Sequence, residues 1–349
     1  MVVGNLTLMD WAKRHDPSGK TAAIAMLLSQ TNEILTDATY VESNQPTSHV
    51  VTVATGLPSV NYRALNQGVT TAKGQTSQIT EPLSILETRS EVDIDLAMLN
   101  GNTAAFRLSE ARMFIEAMNQ KMATELFYAN PATDSKAFRG LAPRYNGLSG
   151  NNSQNIINAG GTIAAKQTSV WLVCWSPETV FCVFPKGSKA GLLHDDLGRQ
   201  TSYDTGTTGE RMEVFADRYQ WKTGLAVKDW RYAVRICNLE VEGGNSNDVN
   251  RLQGVHAPSA GSAVVTNLLH RMAQAIGRIP QSGMGRCAFY LNRTVFTSLM
   301  RLALESGVNS GLMIQTAATE FGTPQRMLSF LGFPIRQCDA LLNTESVVS

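Results

Sequence analysis

Residues 103–128, TAAFRLSEARMFIEAMNQKMATELFY, run without glycine or proline, and the next proline is Pro131. The pattern predicts one continuous helix, roughly 39 Å long at 1.5 Å per residue. Leu108, Ala111, Ile115, Met118, Met122 and Leu126 step by three and four and predict a single inward stripe, with Glu110, Glu116, Lys121 and Glu125 elsewhere. Asn102 or Thr103 supplies the cap. Methionines on the stripe tolerate imperfect packing. Whatever this chain builds is organised along a structural beam.

The segments before the beam have little to bury by themselves. Residues 20–36, KTAAIAMLLSQTNEILT, read as a short amphipathic helix with Ile24, Leu27, Leu28, Ile34 and Leu35 near one face, after the turn and cap chemistry of Asp16, Pro17 and Ser18. An isolated helix of that size is marginal in water and must dock on something. Residues 48–95 contain β-branched alternations, Val51/Val53 and Val92/Ile94, around the polar stretch 66–78, NQGVTTAKGQTSQ. A long structureless loop within a compact domain is unusual. The better expectation is a two-stranded ribbon projecting from the body, which needs a partner surface to be stable. The first hundred residues therefore look like arms.

After the polar loop 147–160 the chain turns β-rich. Residues 169–184 hold two apolar runs split at Ser176-Pro177, and 221–241 read as one or two further strands. The loop 243–250, GGNSNDVN, marks a candidate subdomain boundary. Amphipathic helices are expected at 262–279 and 293–305, flanking a strand at 287–291, with a last strand at 333–338. There is no internal repeat. The fold class is α+β.

Composition narrows the function. Charged residues make up 17% of the chain and hydrophobic residues 43%, a low charge density that suits large contact surfaces between copies rather than a free monomer. The formal net charge is +1 without a basic stripe, so sequence-specific nucleic-acid binding is not expected. Cys174, Cys182, Cys237, Cys287 and Cys338 contain no CxxC pair and read as free thiols of a reducing compartment. No signal peptide opens the sequence and no apolar run reaches the ~18 residues of a membrane span. We expect synthesis and first use in a cytoplasm, which leaves the sequons at Asn5, Asn151 and Asn292 without meaning.

Candidate chemistry dissolves on inspection. Ser18-Gly19-Lys20-Thr21 opens a helix like a phosphate-binding loop, but Arg14 stands where that loop needs its first glycine, and no buried strand precedes it. A nucleotide-binding enzyme using Lys20 and Thr21 is the alternative this weakens. His15, His49, His194, His256 and His270 have no metal-ligand spacing. His194-Asp195-Asp196 is the densest polar cluster, yet three adjacent residues cannot all converge on one ion, and the glycines around them predict a surface loop. Gly147-Leu148-Ser149-Gly150 lacks the spacing of a nucleophile elbow. No catalytic, cofactor-binding or metal residue is expected: the chain does not read as an enzyme.

The order of arm, ribbon, beam, β-rich body and terminal α/β part resembles the major capsid proteins of tailed bacteriophages, the Hong Kong 97-type fold. Local phrases sharpen the resemblance: Asn100-Gly101-Asn102-Thr103 into the helix, Leu126-Phe127-Tyr128-Ala129-Asn130 out of it, Gly140-Leu141-Ala142-Pro143-Arg144-Tyr145-Asn146, Phe184-Pro185-Lys186-Gly187-Ser188-Lys189-Ala190-Gly191-Leu192, Asp229-Trp230-Arg231-Tyr232-Ala233-Val234-Arg235 and Gly332-Phe333-Pro334-Ile335-Arg336. They are similar to the short-tailed, epsilon15-like subgroup, apart from Ala129, where a glycine is expected.

The resemblance implies an N-terminal arm at 1–47, an E-loop at 48–98, a P-domain at 99–254 with spine helix 103–128 and a β-rich region at 150–250 that divides between P-domain strands and an inserted subdomain, and at 255–349 an A-domain with a C-terminal P-domain strand. It implies self-assembly into hexamers and pentamers of an icosahedral head around double-stranded DNA, held non-specifically. Implied partners are a separate scaffolding protein, a portal protein and a decoration or cement protein, with no membrane. The virion is the implied location, after assembly in the host cytoplasm. A nanocompartment shell of the same fold is the alternative. Some relatives fuse an E-loop lysine to a neighbour's asparagine. Lys73 is the only lysine in 49–90, but non-covalent pairing is the expectation here.

Overall fold

The computed structural model describes residues 29–99, 101–150, 152–203, 211–241, 268–305, 312–317 and 325–349. The phosphate-loop-like 18–21, residues 20–28 of the expected 20–36 helix, His15, His256 and the 243–250 loop lie outside them; of the described remainder of that expected helix, 29–33 are not helical and only a turn beginning at Ile34 is. In chain order the elements are α1 (Ile34–Asp37), β1 (Tyr40–Glu42), β2 (Ser48–Gly56), β3 (Gln75–Pro82), β4 (Ser84–Asp93), α2 (Ile94–Met98) and α3 (Thr103–Tyr128). Then follow β5 (Ile156–Asn158), β6 (Gln167–Trp175), β7 (Val180–Phe184), β8 (Leu192–Tyr203), β9 (Arg211–Val227) and β10 (Ala233–Glu240). The last are α4 (Leu268–Arg278), β11 (Arg286–Leu291), α5 (Arg293–Glu305), β12 (Leu312–Ala317), β13 (Gln325–Phe330) and β14 (Phe333–Gln337).

Two compact units divide the described chain. The first holds 29–30, 85–123 and 189–222; the second holds 31–84, 124–188 and 223–349. The second unit is built on a sheet ordered β12-β13-β14-β11-β6-β10-β5. Strand β6, QTSVWLVCW, is buried at every position, as the unbroken apolar run from Val170 to Trp175 requires when both faces are covered. Trp171 on β6 meets Phe127 and Tyr145 at ring-centroid distances of 6.1 and 5.9 Å. Strand β7 carries β1 in parallel and the end of β9 in antiparallel register.

The last turn of α3 is closed by a tight return of the chain. Gly140 N donates to Ala129 O at 2.8 Å, and Leu141 N to Leu126 O at 3.0 Å. A Cβ on Gly140 would sit 2.8 Å from Glu125 O and 2.9 Å from Phe127 O, so only glycine fits beneath the helix end. Gly140→Ala should therefore lower subunit stability by about 1–3 kcal/mol through overpacking against backbone, read as a lower denaturation midpoint.

The first unit packs α2 and residues 103–123 of α3 with β4 and the hairpin of β8 with β9. Asn102 caps α3, its side chain accepting from Ala105 N at 3.2 Å, and Asp93 caps α2 through Asp95 N and Leu96 N. Val92, Ala97 and Phe106 form the core with Phe215 against them. Met118 is buried, so Met118→Asp should prevent folded subunit from accumulating, a buried unpaired charge costing several kcal/mol. Soluble yield of the variant checks this.

Four expectations need correction. The stripe faces inward only from Met118 onward: Leu108 is 56% and Ile115 42% exposed, whereas Phe106 and Glu110 are buried. The first turns of the helix present the opposite face to their core, a choice that helical spacing alone cannot make. The ribbon is β2 with β3, not β2 with the 84–95 segment. Strand β3, QTSQITEP, is exposed at all but one position and so has no apolar alternation to reveal it. His194-Asp195-Asp196 lies on strand β8, paired with β9, rather than in a loop. Finally, Cys174 and Cys287 are joined across the β6–β11 register, where free thiols were expected; Cys182, Cys237 and Cys338 are free and buried.

Candidate assembly surfaces

The ribbon starts from a firmly held base. On β2, Val51 packs into a buried cluster with Phe181, Val183 and Ala226, flanked by Val41, Val53 and Leu83. His49 meets the Phe181 ring edge-on at 5.5 Å, and burial lowers its pKa. Asn44 clamps Val50 from both sides, donating to its carbonyl at 2.8 Å and accepting from its amide at 2.9 Å. On β3, Glu81 is buried and takes a two-pronged ion pair from Arg144, at 2.6 and 2.7 Å. Arg144 also donates to Leu225 O and Arg139 O, each at 3.0 Å. Gly224 lets β9 pass beneath Pro82: a Cβ there would lie 2.7 Å from Pro82 O.

Beyond this base no described residue covers the end of the ribbon. Residues 57–74 are exposed throughout, and Leu57 and Tyr62 are 93% and 107% exposed, with Val60 and Leu65 close behind. Large apolar side chains held in water on a projecting loop mark a contact surface. Sequence reasoning found the polar part of the loop and missed these four, because their irregular spacing fits neither helix nor strand. Lys73 stands exposed in the same loop.

The polar clusters are structural in geometry. In the first unit Arg107 donates to Asp196 at 2.7 Å and Asp217 at 2.9 Å, and His194 Nε2 lies 3.0 Å from Asp217, its ring stacked on Tyr219 at 4.8 Å. The Arg107 hydrogen bond holds the Asp196 carboxyl below its usual range. Asp195 pairs instead with Arg218, so it points away from the Arg107–Asp217 network that His194 and Asp196 share. In the second unit an open groove of about 940 Å³ beside the ribbon is lined by Ile79, Arg144, Trp230 and Arg231, but its charges are spoken for: Glu178 with Lys228, Asp229 with Arg231. Burial pushes the Cys182 and Cys338 thiols up to about 12, keeping them protonated. Leu148 N, in the 147–150 segment, donates to Ser349 O, and His270 is exposed. Among the described residues no group of three or more His, Cys, Asp or Glu could hold a metal, and no helix is long and apolar enough to cross a membrane.

Comparison with known proteins adds an independent line. A family profile described as Major capsid protein GP7 matches residues 16–349. Among solved structures, the bacteriophage Epsilon15 structure is similar at 30% identity, with a TM-score of 0.74 over 100% of this chain and 99% of that one. The bacteriophage JBD30 capsid aligns at 10% identity and TM-score 0.44, over 93% and 97% of the two chains. The SrpI encapsulin of Synechococcus elongatus aligns at 10% and 0.45, over 69% and 99%. No curated protein matches.

Proposed function

The chain belongs to the family of the major capsid protein GP7, and from that premise we propose how it builds a shell. It is a shell protein of a phage head, with the Hong Kong 97-type fold, and its place is the virion. Our reading of the finer arrangement is that copies associate as hexamers and pentamers of an icosahedral head around double-stranded DNA, without catalysing a reaction. The observation that carries it is the β2–β3 ribbon, anchored through Glu81 and Arg144 and ending in the exposed apolar loop 57–74.

In this reading 1–47 is the arm, 48–98 the E-loop, 99–254 the P-domain and 255–349 the A-domain with a returning P-domain strand. The E-loop lies on an adjacent subunit, adding strand pairing and apolar burial at each contact. Repeated head-to-tail contact between two different patches closes into rings when the rotation permits. A separate scaffolding protein directs assembly in the host cytoplasm, a portal occupies one vertex, and a decoration or cement protein reinforces the shell.

Purified subunit should yield closed particles or capsomers by negative-stain microscopy, with scaffold or at high concentration. A stable compact monomer under every assembly condition would contradict the reading. On denaturing gels mature particles should give a single monomer band. A ladder that disappears in Lys73→Arg would instead establish covalent joining through the loop. A cargo enzyme inside the particles in place of DNA would establish the nanocompartment alternative.

A further inference from the structure

The tip of the ribbon has a single chemical character. Between Glu42 and Glu81 the chain contains no aspartate or glutamate. In the exposed loop Arg63 and Lys73 stand beside Leu57, Val60, Tyr62 and Leu65, and neither cation has a carboxylate partner among the described residues. A surface that covers this tip must offer apolar area and spare negative charge together, because like charges facing each other across an interface are strongly unfavourable. The groove beside the ribbon does not qualify. Its carboxylates are paired, Glu81 with Arg144, Glu178 with Lys228 and Asp229 with Arg231, and Arg139 adds a further cation.

The first unit does carry such a surface. On β4, Ser90 and Val92 are buried, so Ile85, Glu87, Arg89, Glu91 and Asp93 share the opposite face. Ile85 is exposed, and Arg89 lies 3.5 Å from Glu87. Glu91 and Asp93 have no basic partner among the described residues: Glu91 accepts from Ser202 Oγ, and Asp93 from the Asp95 and Leu96 amides. On α2 and the residue after it, Asp95, Met98 and Leu99 fall three and four positions apart on one side and are all exposed. Apolar side chains and three carboxylates without cations thus run along one strand and into the next turn.

We propose that this β4–α2 face of one copy seats the ribbon tip of a second copy. Glu91, Asp93 and Asp95 face Arg63 and Lys73, and Ile85, Met98 and Leu99 cover the apolar side chains of the loop. The proposal rests on the reading that the ribbon lies on an adjacent subunit, and it adds which surface receives it. Apolar burial is non-directional, so the opposite charges are what fix the register of the two patches.

The test reverses the charge on each side and then on both, leaving the Asp93 cap in place. Arg63→Glu with Lys73→Glu should raise the subunit concentration needed for particles by about tenfold or more, and so should Glu91→Lys with Asp95→Lys. All four together should assemble near the natural concentration, read by sedimentation velocity and electron microscopy. Either reversal without effect overturns the proposal. Loss on loop reversal that the face variant fails to rescue also overturns it, while leaving the ribbon on some other surface of a neighbour. Natural subunit that never forms particles sinks the underlying reading and this seat with it. Should a reversed subunit fail to fold, carbodiimide treatment of natural particles decides, since it joins a lysine only to a carboxylate in direct contact. Mass spectrometry of the crosslinked dimers should find Lys73 joined to Glu91, Asp93 or Asp95. Links from Lys73 to other carboxylates alone, links only within a monomer, or none overturn the proposal.

Discussion

Glu345→Ala is expected to prevent folded subunit from accumulating. Glu345 and Arg235 pair at 2.8 Å with side chains only 4% and 5% exposed. The guanidinium further donates to Ser169 Oγ at 3.0 Å and to Tyr145 O at 2.8 Å, and lies 5.2 Å from the centre of the Trp171 ring. Glu345 also accepts from the Tyr128 hydroxyl at the end of the long helix, and its own amide donates to Gln167 O at 2.9 Å on β6. Burial and then the Glu345 charge push the Tyr128 pKa well above its ordinary value, so its proton stays available to donate.

One carboxylate thus ties the helix end, two central strands and the C-terminal segment together. Removing it strands a buried cation, at a cost of about 3–5 kcal/mol, out of a total stability on the order of 5–15 kcal/mol. Glu345→Gln should lose less, since the amide retains an acceptor. Arg235→Met combined with Glu345→Met should recover part of the loss, because no unpaired charge remains. Soluble yield and urea midpoints measure all three. A Glu345→Ala subunit with the natural midpoint would mean the pair is not what holds these elements.

Why this network escaped sequence reading is a matter of distance. Arg235, Glu345, Ser169 and Tyr128 are scattered over the chain, and nothing in the residues around any of them marks it as a partner. Signals local to one element were legible instead: the uninterrupted helix Thr103–Tyr128 with its Asn102 cap, the breaks around Ser176-Pro177, and the helix Arg293–Glu305. Each follows from spacing, a cap or a breaker within a few residues. Strands β3 and β8 were missed because they are mostly exposed, and an exposed strand has no face to encode. The inward direction of the long helix was legible only where its stripe meets one core. The resemblance to tailed-phage capsid proteins rested on short phrases, and one has a physical reason in the structure: Gly140 before Leu141 is the only residue that fits beneath the helix end.

Replacing residues 57–74 with a two-residue Asn-Gly turn should leave the subunit folded and abolish shell formation. Gly56 and Gln75 are already cross-strand partners, so the short turn joins them in the register that two-residue hairpins favour. The base is untouched, because Val51, Glu81 and Arg144 lie below the cut. Circular dichroism and the urea midpoint should therefore stay close to the natural values. What disappears is the surface carrying Leu57, Val60, Tyr62 and Leu65. Burying each of them on a neighbour contributes up to about 1.5–3 kcal/mol, repeated at every subunit contact. Two such side chains lost per contact shift association by about a hundredfold or more, at 1.4 kcal/mol per factor of ten. A milder variant, Leu57→Ser with Tyr62→Ser, should keep the loop's length and form shells only at much higher concentration. Sedimentation velocity and electron microscopy separate the outcomes. Abundant particles of normal stability from the shortened chain would show that copies meet through other surfaces, and that the ribbon is an accessory to the shell.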